Sequence, residues 1–226
     1  MTRGIFIAGN DCALSRAIET EAGKRVEQFA SAMIPNRLSG TPSQLAARTK
    51  NSPEISGRMQ LEWNPSSPIS ARTITIAAEN RLENIDEAIL ICSPPTVRSA
   101  ASDITLSDID ILINDHIRGW LYLVKELTVH FSAKKKGALS LVYPDISSGK
   151  DDTADILGPA ALASFRALTS SLLAAARSES YTTMGFMTTD AGNETAFAAY
   201  IFKAIDEINK RSNGKLHKFG KFQFFK

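Results

Sequence analysis

Cysteine is scarce: Cys12 and Cys92 are the only two in 226 residues. That is too few for a disulfide-built scaffold, and their separation fits no zinc-ligand spacing. The three histidines, His116, His130 and His217, form no metal-ligand grouping in the sequence. No hydrophobic run approaches the ~20 residues needed to span a bilayer. Met1-Thr2-Arg3-Gly4 leads straight into a strand-like run, without signal-peptide anatomy. An excess of one charge is missing too, since 26 basic and 24 acidic residues leave a net +2. Such a balance demands no nucleic-acid partner. These absences lead us to expect a soluble, cytoplasmic protein that does not engage a membrane. The chain is 43% hydrophobic with a mean hydropathy of −0.10. That is enough apolar content to offset the entropy of ordering a single domain over residues 1–226.

Gly4–Ala8 is a short continuous apolar run, the pattern of a strand buried on both faces. Gly9-Asn10-Asp11 then signals a turn. A helix follows from Leu14 to Ala22, with Gly23 as its C′ glycine, and Val26–Met33 reads as a second strand. The stretch 34–58 is rich in Pro, Ser, Asn and Gly, with a short helix expected around Ser43–Thr49. Met59–Trp63 is a third strand. Ile69–Asn80 is open between helix and strand because of its β-branched run, Thr73-Ile74-Thr75-Ile76.

Ala88–Cys92 is a buried strand stopped by Ser93-Pro94-Pro95. A long helix is expected over Ser107–Phe131, with an apolar stripe of Ile109, Leu112, Ile113, Trp120, Leu123, Leu127 and Phe131. Ile111, Ile117, Leu121 and Val124 add a second flank, so more than one of its faces must be covered. Ala138–Tyr143 is the next strand, and Gly158-Pro159 opens an alanine-rich helix to Arg177. Thr182–Met187, Thr195–Arg211 and Lys215–Phe225 read as strand, helix and strand. This alternation gives an α/β fold with a parallel sheet covered by helices on both faces.

The order of these elements resembles the short-chain dehydrogenase/reductase family across nearly the whole chain. The resemblance rests on the strand–Gly9 turn–helix opening, Ile85-Asp86-Glu87-Ala88-Ile89-Leu90 and the long helix with Gly119. Lys136–Val142, Ala160–Leu172 and Asn213-Gly214-Lys215-Leu216 complete it. It implies a Rossmann-like doubly wound sheet of about seven parallel strands. It also implies a nicotinamide cofactor on the first turn, around Gly9, Asn10, Asp11, Ala13 and Leu14, with Ser93 on the loop after the fourth strand.

The family's motifs are altered here. Its cofactor turn, Gly-x-x-x-Gly-x-Gly, reads Gly9-Asn10-Asp11-Cys12-Ala13-Leu14-Ser15, with alanine and serine at the second and third glycines. The helix N-terminus still favours a phosphate, although Gly9 would also serve as the tight turn of any α/β unit. The second strand ends around Ser31-Ala32-Met33 without a carboxylate to hold a ribose. Arg16 and Arg37 are candidate partners for a 2′-phosphate, which favours NADP if any cofactor is kept. The family's acid/base tyrosine and its lysine fall at Gly158 and Leu162, its serine near Pro144-Asp145, and its helix asparagine at His116.

All four roles are therefore vacated. The expectation is a binding module for a nucleotide, another ligand or a protein, without dehydrogenase activity. The alternatives are an atypical NAD(P)-dependent oxidoreductase and a purely structural subunit. A displaced acid/base set would use Tyr143 with Ser147, Ser148 and Lys150, or His116, which otherwise reads as a hydrogen-bonded core histidine. Cys12 reads as a small residue near a helix start. The basic and aromatic tail from Lys215 to Lys226 reads as a last strand and an edge rather than a nucleic-acid platform. The two-flanked helix and the small residues from Ala160 to Ala175 point to a homodimer or homotetramer. The family packs these helices across a two-fold axis.

Overall fold

The computed structural model describes residues 3–34, 55–94, 100–145, 155–190, 192–209 and 212–220. The expected helix around Ser43–Thr49, together with Arg37, Ser147, Ser148 and Lys150, lies outside them. Seven strands run parallel: β1 (Ile5–Asn10), β2 (Phe29–Ile34), β3 (Arg58–Gln60), β4 (Glu87–Ile91), β5 (Ala138–Pro144), β6 (Thr182–Thr188) and β7 (Lys215–Phe219). Their order across the sheet is β3-β2-β1-β4-β5-β6-β7. The chain thus builds outward from β1 to β3, then crosses back to start the other half at β4. Between β1 and β4 the winding reverses, opening a crevice at the carboxyl ends of the strands.

The helices are α1 (Ala13–Gly23), α2 (Pro68–Leu82), α3 (Leu106–Ile113), α4 (Gly119–Lys134), α5 (Leu157–Ala175) and α6 (Glu194–Asp206). Alternate strand residues feed two cores, as the period of two demands. Phe6, Ala8, Leu90, Leu139 and Leu141 pack against α2, α4 and α5 through Ile74, Trp120, Leu123, Leu127 and Phe165. On the other face Ile5, Ile7, Ile89, Ile91 and Phe186 pack against α1 and α6 through Leu14, Ile18, Phe197, Ile201 and Phe202. Both faces are apolar, which is why the strands read as continuous runs rather than alternating ones.

Several expectations about elements need correction. The Ile69–Asn80 ambiguity resolves to helix, because Ser67 caps it through the Ser70 N–H and Pro68 takes its first turn. Gly23 is not a left-handed stop. It is the last helical residue, and a Cβ there would meet the Ser56 carbonyl oxygen at 2.8 Å. The long helix is not continuous: a π turn at Asn114–Arg118 separates α3 from α4. The extra residue rotates the apolar stripe, so Ile109 and Ile113 face outward while Asp115 and His116 turn inward. The final helix ends at Asp206, short of the expected Arg211, and β7 is described only to Phe219. Among the described residues no helix is long and apolar enough to cross a membrane.

Candidate functional site at the β1–β4 crevice

Gly9 pairs with Ile91 of β4, and a Cβ on it would stand 2.9 Å from the Ile91 Cβ and 3.0 Å from the Ser15 Oγ. Close packing of β1, β4 and α1 therefore requires glycine here. Asn10 follows and is buried. Its carbonyl accepts from Ser15 Oγ at 2.6 Å, and its Oδ1 accepts from the Ser93 N–H at 2.8 Å. The amide orientation so fixed points Nδ2 at His116 Nδ1, 3.3 Å away. Since Nδ2 can only donate, His116 accepts at Nδ1 and carries its proton on Nε2. Burial depresses the His116 pKa from 6.5 to about 4, so the ring is neutral at pH 7. Asn10, Ser15, Ser93 and His116, scattered along the chain, thus form one knot beneath the crevice.

Above the knot, α1 begins without a side-chain cap. Cys12 holds the N-cap position in extended conformation, its thiol contributes no cap bond, and the first turn has no acid. The leading N–H groups of the helix, from Ala13 and Leu14, are therefore available to an anion. Ser15, where the family has its third glycine, turns its hydroxyl inward to Asn10 and is buried. It leaves the approach to those amides clear. The Asp11 N–H donates to the Ile34 carbonyl at 3.2 Å, joining the turn to the end of β2. The Asp11 carboxylate takes Arg16 Nη1 at 2.7 Å, so this guanidinium is already paired within the turn.

A cleft of about 200 Å³ opens on the other side of the α1 start. Its walls are the 12–14 segment, Ser93 after β4, Pro144 ending β5, Thr188 ending β6, Asp190 after it, and Glu194 and Phe197 of α6. The β6–α6 residues were missed from the sequence. The signal was there in Thr188-Thr189-Asp190-Ala191-Gly192-Asn193, a polar turn closing a parallel strand, because such turns gather at the ligand end of the sheet.

Tyr143 is near the cleft and does not line it. It lies edge-on to Phe165 with ring centroids 6.3 Å apart, within the α2–α4–α5 core. Burial pushes its phenol pKa up, against the pull of Arg166. Arg166 itself pairs with Asp145 at 2.8 Å. Tyr181 packs on Phe131 at the opposite end of the sheet. Gly158 sits in the first turn of α5 with its N–H on Asp155 Oδ1, and Leu162 packs on the core. His130 pairs with Glu79 and His217 stacks on Phe186, both away from the crevice. Among the described residues no three His, Cys, Asp or Glu side chains are grouped to hold a metal ion.

No family model matches this sequence, and no curated protein matches it. Solved structures do match. A short chain dehydrogenase from Bacillus anthracis str. 'Ames Ancestor' is 13% identical with a TM-score of 0.71, over 98% of each chain. A short chain dehydrogenase from Mycobacterium smegmatis is 12% identical with a TM-score of 0.70, over 98% of this chain and 93% of that one. The NADH-dependent reductase A1-R′ complexed with NAD is 14% identical with a TM-score of 0.69, over 96% of this chain and 95% of that one. With the seven-stranded order and the crevice at its reversal, these matches identify the fold of this chain as that of the short-chain dehydrogenases/reductases.

Proposed function

We propose that this protein is a short-chain dehydrogenase/reductase-like binding module that holds a nucleotide at the β1–β4 crevice without dehydrogenase chemistry. The observation carrying this reading is the uncapped start of α1 beside the cleft, with no proton-transferring side chain at Gly158 or Leu162. The donor set fits a dinucleotide. The Ala13 and Leu14 amides would take the pyrophosphate, with Gly9 keeping the turn tight. Asn10 and Ser93 act below it, fixing the turn and the post-β4 loop against each other. Asp11 and Arg16 stand on the β2 side, where the adenosine ribose would lie. If Asp11 releases Arg16 to a 2′-phosphate, NADP is favoured over NAD, with Arg37 a second cation for that group. A nicotinamide ring, if bound, would supply the capacity for hydride exchange. Tyr143, buried and raised in pKa, is poorly placed to supply the matching proton.

The protein would work as a homodimer or homotetramer. Leu106, Ile109, Ile113 and Leu121 are exposed on α3 and α4. Ala160, Ala163, Ala167 and Ser171 form a small-residue face on α5 that permits close helix approach. Both cysteines are free thiols, in keeping with the cytoplasm.

Calorimetric titration with NADP+, NADPH, NAD+ and NADH tests the reading, alongside turnover assays on a panel of carbonyl substrates. Saturable binding without turnover is expected. Hydride transfer to any member of the panel would instead favour an atypical oxidoreductase using Tyr143.

A further inference from the structure

Resting on that reading, the charge of the cleft bears on which form of a dinucleotide it holds. With the pyrophosphate on the α1 amides, the two halves of a dinucleotide extend to opposite sides of the crevice. Asp11, bonded to the end of β2, marks one side. The cleft is on the other, beyond β4, β5 and β6, where the nicotinamide half belongs. Asp190 and Glu194 line it, and among the described residues no lysine, arginine or histidine does. Asp190 is held in place by the turn after β6. Its N–H donates to Thr188 Oγ1 at 3.1 Å, and its carboxylate accepts from Asn193 Nδ2 at 3.3 Å. Phe197 is the buried apolar wall beside them.

We propose that this cleft selects the oxidised nicotinamide ring, which is cationic, over the neutral dihydro ring, so that the protein retains the oxidised dinucleotide. The two redox forms share every group outside the ring, so their affinity ratio isolates its charge. Both carboxylates are partly exposed, which puts the interaction near its water-screened value. For one charge pair at contact that corresponds to about fivefold in affinity.

The test is calorimetry on the wild-type protein with NADP+ against NADPH and NAD+ against NADH. The probe lacking the ring is 2′-phospho-ADP-ribose. The oxidised form is expected to bind about fivefold tighter, with the ratio shrinking as salt is raised. The double variant D190N/E194Q should bring the ratio close to one, while the ring-free probe, whose pyrophosphate shares the Ala13–Leu14 wall of the cleft, should bind it at least as tightly as it binds wild type. Equal or tighter binding of the reduced forms overturns the proposal, as does a ratio that survives in the double variant. Tight binding of the ring-free probe alongside either result leaves the nucleotide-binding reading standing. Failure of wild type to bind any of the five compounds overturns both.

Discussion

Asn10 connects three segments to β1 with one carbonyl and one side-chain amide. Asn10→Ala should expose the cost of that arrangement. It leaves the Ser93 N–H and His116 Nδ1 without their partner, at about 1–3 kcal/mol for each buried group stranded. Urea denaturation should show a loss of at least about 1 kcal/mol with the m-value unchanged. His116 adds a pH dependence whose sign follows from its depressed pKa. Between about 4 and 6.5 the unfolded chain binds this proton and the folded one does not. Stability therefore falls as pH drops through that window and levels off below it, with a limiting slope of about 1.4 kcal/mol per pH unit. Burial shifts His130 and His217 down as well, so both add a slope of the same sign below pH 6.5. Replacing His116 by Gln should accordingly flatten the measured slope rather than abolish it. An unchanged slope would mean that this ring is not held neutral by burial.

The π turn between α3 and α4 sets which residues each helix buries. A continuous helix would have put Ile109 and Ile113 in one stripe with Trp120, whereas the inserted residue turns them outward and draws Asp115 and His116 in. At its end, Gly119 begins α4 under the loop that follows β3. Helix propensity alone favours Gly119→Ala by about 1 kcal/mol. The added Cβ, however, would lie 2.6 Å from the Pro65 Cβ and 3.2 Å from its carbonyl oxygen. Overpacking of this kind costs about 1–3 kcal/mol, so sterics win and the variant should melt lower than wild type. An increase in melting temperature would show that the 64–66 loop yields without cost. The helix pattern itself was legible in the sequence, but the π turn was not. Its single extra residue carries no compositional mark, and only the packing of Trp120 and Leu112 shows where the register slips.

At the scale of the whole molecule, the face of α3, α4 and α5 that the sheet does not cover bears on assembly. Light scattering should give a mass at least twice 24.5 kDa. Ala167, exposed on α5, lies on the face proposed to pair and is the position at which to test it. Ala167→Glu should return the mass to that of one chain without lowering the monomer's helix content. A 24.5 kDa species for wild type across a dilution series would reject the dimer.

The sequence alone determined the α/β alternation, because buried parallel strands read as continuous apolar runs and helices as apolar stripes, both local patterns. It also located the first turn, since Gly9-Asn10-Asp11 breaks such a run. What the tertiary structure decided is which distant residues meet. Asn10 reaches Ser93 and His116 only because β1 and β4 are neighbours at the reversal of strand order. Asp190 and Glu194 join the α1 start only because β6 ends at the same edge of the sheet. Contacts of that kind leave no periodicity in a sequence. They depend on strand order, which is settled by how the two cores pack rather than by any one segment.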